Sequence, residues 1–201
     1  MLNRRTAIFS SALGSLAALG LCAPATAAAQ TAAPGAGGAA TPPAPAPEVA
    51  AELPGAAWSG SARMRYFTFN IYDATLWVAP GFSASRYTQT PFALQLNYLR
   101  SLDGNAIAER SLVEMRRGAS ITPEQEKRWL AAMQVSFADV KAGDRITGLH
   151  QPGVGARFWF NGTARPPIAD AEFSRLFFDI WLADFTSEPR MRTSILAGAA
   201  P

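Results

Sequence analysis

The sequence predicts an α+β domain in which an antiparallel sheet is covered by helices on one face. Three observations carry this. Residues 92–99 alternate, with Phe92, Leu94, Leu96 and Tyr98 on one side and Ala93, Gln95, Asn97 and Leu99 on the other, the pattern of a strand with one apolar face. Asp103 and the pair Thr122-Pro123 are helix-start signals. Two strand-like runs, 145–151 and 156–160, are joined through Pro152-Gly153-Val154-Gly155, which reads as a hairpin. Strands, two helices, a hairpin and two more helices keep strand pairing local, so the sheet is antiparallel.

The folded part is expected over residues 55–198. The run 63–78 is dense in aromatic and β-branched residues (Tyr66, Phe67, Phe69, Ile71, Tyr72, Trp77) and reads as one or two strands stopped by Pro80-Gly81. A helix from Gly104 to about Arg117 follows the Asp103 cap. The next starts at Thr122, with Gln125 completing a capping-box pair, and carries Trp129, Met133 and Phe137 as one apolar stripe. Asn161-Gly162 ends the hairpin. Asp170 is placed to cap a helix that buries Phe173, Phe177, Ile180 and Trp181. Ser187 is expected to cap a last short helix ending at Gly198.

Ahead of the domain, Arg4-Arg5, an uncharged apolar stretch over 6–23 and small residues at Ala25-Thr26-Ala27 and Ala27-Ala28-Ala29 have the form of a secretory signal over residues 1–29, cleaved near Ala27–Ala29. The apolar stretch is short and rich in Gly and Ser for a membrane span. Arg4-Arg5 leaves the twin-arginine route open beside the general one. The location implied is periplasmic or secreted. Residues 30–54, mostly Ala, Pro and Gly, read as a disordered linker.

Cleavage would remove Cys22, the only cysteine, and with it thiol catalysis, disulfides and thiolate metal sites. It would also take Lys+Arg from 18 to 16 against 15 acidic residues, lowering the net charge from +3 to +1. No basic run with interleaved aromatics is present, so nucleic acid is not an expected partner. His150 is the only histidine, which rules out a HExxH-type metal site, and no G-x-S-x-G elbow supports a triad built on it. It reads as a structural strand-end histidine. Neither a metal nor a cofactor is expected.

The polar residues that stand out lie inside apolar strands: Arg65, Tyr72, Tyr98 and Arg100. A half-buried Arg is costly without an anion or several acceptors. An Arg with a nearby Tyr can hold a carboxylate or enolate while surrounding aromatics hold an apolar tail. The alternative is that Arg65 and Arg100 point to solvent from the polar faces of their strands.

The segments Met64-Arg65-Tyr66-Phe67, Ile71-Tyr72-Asp73-Ala74-Thr75-Leu76-Trp77-Val78, Leu96-Asn97-Tyr98-Leu99-Arg100, Glu109-Arg110-Ser111 with Glu114-Met115-Arg116, Gly143-Asp144-Arg145 and Phe177-Phe178 with Ile180-Trp181-Leu182 resemble, in order and spacing, the chalcone isomerase-like family, specifically its bacterial exported branch. The resemblance implies an open-faced β-sandwich with a cleft between sheet and helices. Plant enzymes of the family cyclise a chalcone without a cofactor, using an early-strand Arg, to which Arg65 corresponds, and a Thr on the next strand, where Tyr72 stands here. They also use a Tyr and an Asn from a helical region, neither of which occurs over 122–138, and a Ser or Thr matched by Ser174. Non-catalytic relatives bind fatty acids through Arg and Tyr.

The site expected from this comprises Arg65, Tyr72, Tyr98, Arg100 and Ser174. The leading function is binding of a small apolar or amphipathic ligand such as a fatty acid, with peripheral membrane contact left open. The alternative is a cofactor-independent isomerase or lyase that stabilises an oxyanion with Arg65.

Overall fold

A computed structural model describes residues 42–201. The expected signal over 1–29 and most of the expected linker lie outside the described residues. Six strands, β1 (Ala57–Tyr66), β2 (Phe69–Val78), β3 (Phe92–Tyr98), β4 (Arg145–Gln151), β5 (Gly155–Phe160) and β6 (Thr163–Ala164), form one sheet in sequential order, with every neighbouring pair antiparallel. Among the described residues five helices accompany it: α1 (Pro47–Glu52), α2 (Gly104–Met115), α3 (Pro123–Ser136), α4 (Ala171–Leu182) and α5 (Pro189–Ile195). This is the α+β, open-sheet architecture the sequence predicts.

The start signals act as expected at three helices. The side chains of Asp103 and Asp170 accept from the amides of Ala106 and Phe173, and Thr122 forms a full capping box with Gln125. At α5 the cap is not Ser187. The helix starts after Glu188, set by Pro189 in its first turn, and Thr186 Oγ1 accepts the Glu188 amide at 3.1 Å. It ends at Ile195 rather than Gly198. Gly198 instead lies against the backbone of Ser59, where a Cβ would meet the Ser59 carbonyl oxygen at 2.7 Å.

Strand alternation sorts the side chains between two faces. On the helix-covered face, Ala74, Leu76 and Val78 of β2 join Phe92, Leu94, Leu96 and Tyr98 of β3 in the main core. Trp129 and Met133 of α3, Phe137 just after it, and six residues of α4, from Phe173 to Leu182, close over them. Gly148 of β4 makes room for this layer. A Cβ there would meet the rings of Phe158 and Phe178 at 3.1 and 3.2 Å.

The opposite face is not bare. Residues up to 54 are expected to be tether, but 47–52 form α1, which lies on that face. Its Val49 and the flanking Ala46 and Leu53 are buried with Trp77, Ala93, Leu149 and Trp159. The Ala/Pro-rich composition conceals a single amphipathic turn whose Pro47 pre-sets the first helical residue. Glu48 anchors it. Arg145 donates to both its oxygens at 2.9 and 3.1 Å, and Thr147 donates at 2.8 Å. Burial would raise the Glu48 carboxyl, but the bonds from its own amide, Thr147 and Arg145 outweigh this and hold it below the usual carboxylate range. Its stabilising contribution is therefore present above that range and is lost as pH falls through it. Glu48→Ala should cost about 2 kcal/mol, read as a lower urea midpoint at neutral pH. An unchanged midpoint would mean that α1 docks on its apolar contacts alone.

Candidate functional site

A cavity of about 430 Å³ opens between the inner face of β1–β3 and helices α2 and α4. Most of its wall is apolar: Met64, Ile71 and Leu96 from the sheet, Ile107 from α2, Phe177 and Ile180 from α4. This volume falls within the ~300–1,000 Å³ of ordinary small-molecule sites.

Two buried phenols face into it from the sheet, with the largely exposed Tyr66 at its edge. Tyr72 and Tyr98 are direct cross-strand partners in β2 and β3, so both point to the inner face, with their rings 5.8 Å apart edge to face. Trp181 Nε1 donates to Tyr72 Oη at 3.0 Å, which leaves the Tyr72 proton free to be given elsewhere. Burial pushes the Tyr72 phenol up to about 12 and Tyr98 above its ordinary value. Both are therefore O–H donors at neutral pH.

The charged groups of the cavity come from α2. Arg110 and Glu114 stand one turn apart, and Arg110 Nη2 donates to Glu114 Oε1. Glu114 Oε2 is buried and accepts no hydrogen bond among the described residues, with Arg117 Nε 3.7 Å away. Ser187 and Glu188, on the segment leading into α5, form part of the rim.

Of the five residues the sequence singles out, Tyr72 and Tyr98 line the cavity and three do not. Arg65 lies between inward-facing Met64 and Tyr66 and so projects away, where it is exposed and donates to Asn70 Oδ1 at 3.1 Å. Arg100 lies over the Phe69 ring, 4.5 Å from its centroid, outside the cavity wall. Ser174 is fully buried within the core, its Oγ 2.7 Å from His150 Nδ1. The cavity's arginine is Arg110, which carries no signal as an isolated residue. Ile107, Ser111 and Glu114, at i, i+4 and i+7, trace the cavity-facing side of α2, and a polar pair within that stripe was the available clue.

His150 belongs to a structural link. Its Nε2 meets the Thr88 carbonyl at 3.1 Å, so this nitrogen carries the proton and Nδ1 accepts from Ser174. The ring stacks on Phe92, 4.9 Å between centroids. Strand β4, helix α4 and the 3-10 segment Ala84–Gln89 are thereby tied together. Beside it Tyr87 donates to Asp179, whose carboxyl is raised by burial. Among the described residues, no group of three or more His, Cys, Asp or Glu could hold a metal ion.

Residues 57–197 match the model of the family described as chalcone isomerase-like. An uncharacterised protein of Haemophilus influenzae is 24% identical over 137 residues, which cover 68% of this chain and 66%, just under two thirds, of that protein. The crystal structure of a fatty-acid binding protein from Arabidopsis thaliana shares the fold, with a TM-score of 0.56 at 10% identity. The match covers 71% of this chain and 87% of that one.

The His150 link has a pH signature. Burial holds the imidazole below its ordinary pKa of 6.5, so the unfolded chain binds the proton more readily. Stability is then full above 6.5 and falls as pH drops below it. Chemical denaturation from neutral to mildly acid pH should show the wild type losing stability more steeply than His150→Gln. Parallel curves would place the titration elsewhere.

Proposed function

We propose that this chain, which belongs to the chalcone isomerase-like family, is a non-catalytic domain that binds a small apolar or amphipathic ligand, with a fatty acid as the first candidate. The observation that carries this reading is the cavity itself: apolar walls of ligand size with two protonated phenols among them. A carboxylate head can accept from the free Tyr72 proton and from Tyr98. The acyl tail would lie against Leu96, Ile107, Phe177 and Ile180. The ligand of the Arabidopsis protein of like fold supports the same choice.

The isomerase reading needs Arg65 in the cleft, and Arg65 is outside it. The phenols are also too weakly acidic to serve as bases at neutral pH. We further place the chain in the exported branch of the family and its binding in the periplasm, on the strength of Arg4-Arg5, the apolar stretch over 6–23 and the small residues around Ala27.

Native extraction followed by mass spectrometry should release fatty acid from the purified protein, and a fluorescent fatty acid should bind and be displaced by unlabelled chains. Ile107→Trp, which fills the cavity, should abolish uptake with the fold retained by circular dichroism. Replacing Tyr72 and Tyr98 together with Phe should weaken fatty-acid binding by roughly tenfold or more, the loss of hydrogen bonds to a charged group. A well-folded protein that takes up no fatty acid would overturn the reading.

A further inference from the structure

The β1–β2 hairpin turns through only two residues, Phe67 and Thr68, and places three aromatic rings in solvent. Tyr66 is 61% exposed, Phe67 87% and Phe69 55%. Among the described residues the other exposed large apolar side chains, Val113, Val135, Val154 and Phe185, are dispersed, whereas these three fall within four positions. Phe67 has φ +51°, at the first loop position of a tight hairpin where glycine is the usual residue. A bulky side chain in that region of backbone space is disfavoured, and this one makes almost no contribution to the core. The sequence thus keeps a strained conformation that folding does not require.

Cations flank the tip. Arg65 donates to Asn70, and Arg100 lies over the face of Phe69. Neither has a carboxylate partner among the described residues. The nearby Asp73 is engaged by Arg63 at 2.6 and 2.8 Å, and Asp103 by the α2 cap. Tyr66 also lines the cavity, so the tip borders its opening.

We infer that the hairpin tip, Tyr66 to Phe69 with Arg65 and Arg100, docks on an anionic phospholipid bilayer. Aromatic rings at the level of the head groups with arginines beside them match the chemistry of a membrane interface. Docking turns the cavity mouth toward the acyl layer, so an apolar ligand could enter or leave without crossing water. The docking does not depend on which ligand the cavity takes.

The test is co-sedimentation of the full chain with vesicles of phosphatidylcholine and phosphatidylglycerol in equal amounts. The wild type should sediment, less so as salt is raised. The double variant Phe67→Gly with Phe69→Ser should bind several-fold more weakly, while its melting temperature holds or rises because glycine relieves the turn. Arg65→Gln and Arg100→Gln should each cost roughly fivefold on these vesicles and nothing on pure phosphatidylcholine. Fatty-acid uptake from solution should be the same in all of them, which separates this inference from the ligand assignment. A wild type that stays in the supernatant overturns it, as does a double variant that sediments as well as the wild type.

Discussion

Phe177 of α4 has five aromatic side chains around it, Phe137, Phe158, Phe173, Phe178 and Trp181, at centroid distances of 5.2 to 5.8 Å. This cluster holds the sheet, α3 and α4 together, and the rest of the molecule is arranged around it. Ring packing of this kind adds to the burial of large apolar area and fixes relative orientation. The glycine at position 148 follows from it, since a larger residue would displace Phe178. The cavity also follows. Phe177 and Trp181 are the edge of the cluster, and beyond them α2 and α4 no longer meet the sheet closely enough to exclude a ligand.

The polar groups of the cavity are held by the same frame. Trp181 uses its ring in the aromatic cluster and its N–H on Tyr72, so the orientation of the phenol is coupled to the core. Tyr98 is fixed by its cross-strand position opposite Tyr72. Arg110 and Glu114 form a near-neutral pair, which keeps an otherwise apolar space from carrying a strong net charge. Such a site suits an amphipathic ligand better than a highly charged one.

Much of the fold is legible in the sequence because it depends on local rules. The alternation at 92–98 and the caps at Asp103, Thr122 and Asp170 each depend on a few neighbouring residues. Helix α1 is hidden because one turn in an Ala/Pro-rich stretch has no periodicity, and its anchor Arg145 is 97 residues away. The site is half legible for a similar reason. Tyr72 and Tyr98 are apparent as polar groups in apolar strands. Arg65 shares that signal, but its face depends on hairpin register: Met64 pairs with Tyr72, a shift follows, and Arg65 is left on the outer side with Asn70. Arg110 emerges only once the inward side of α2 is known.

The central claim is that the space between Tyr72, Tyr98 and Phe177 is a binding site for an amphipathic chain. A crystal structure of the protein saturated with a fatty acid tests it most directly. The account predicts an acyl chain along Phe177 and Ile180 with its carboxylate within hydrogen-bond reach of the Tyr72 and Tyr98 hydroxyls. A saturated protein whose cavity is empty, with the fatty acid bound elsewhere on the surface, would contradict it.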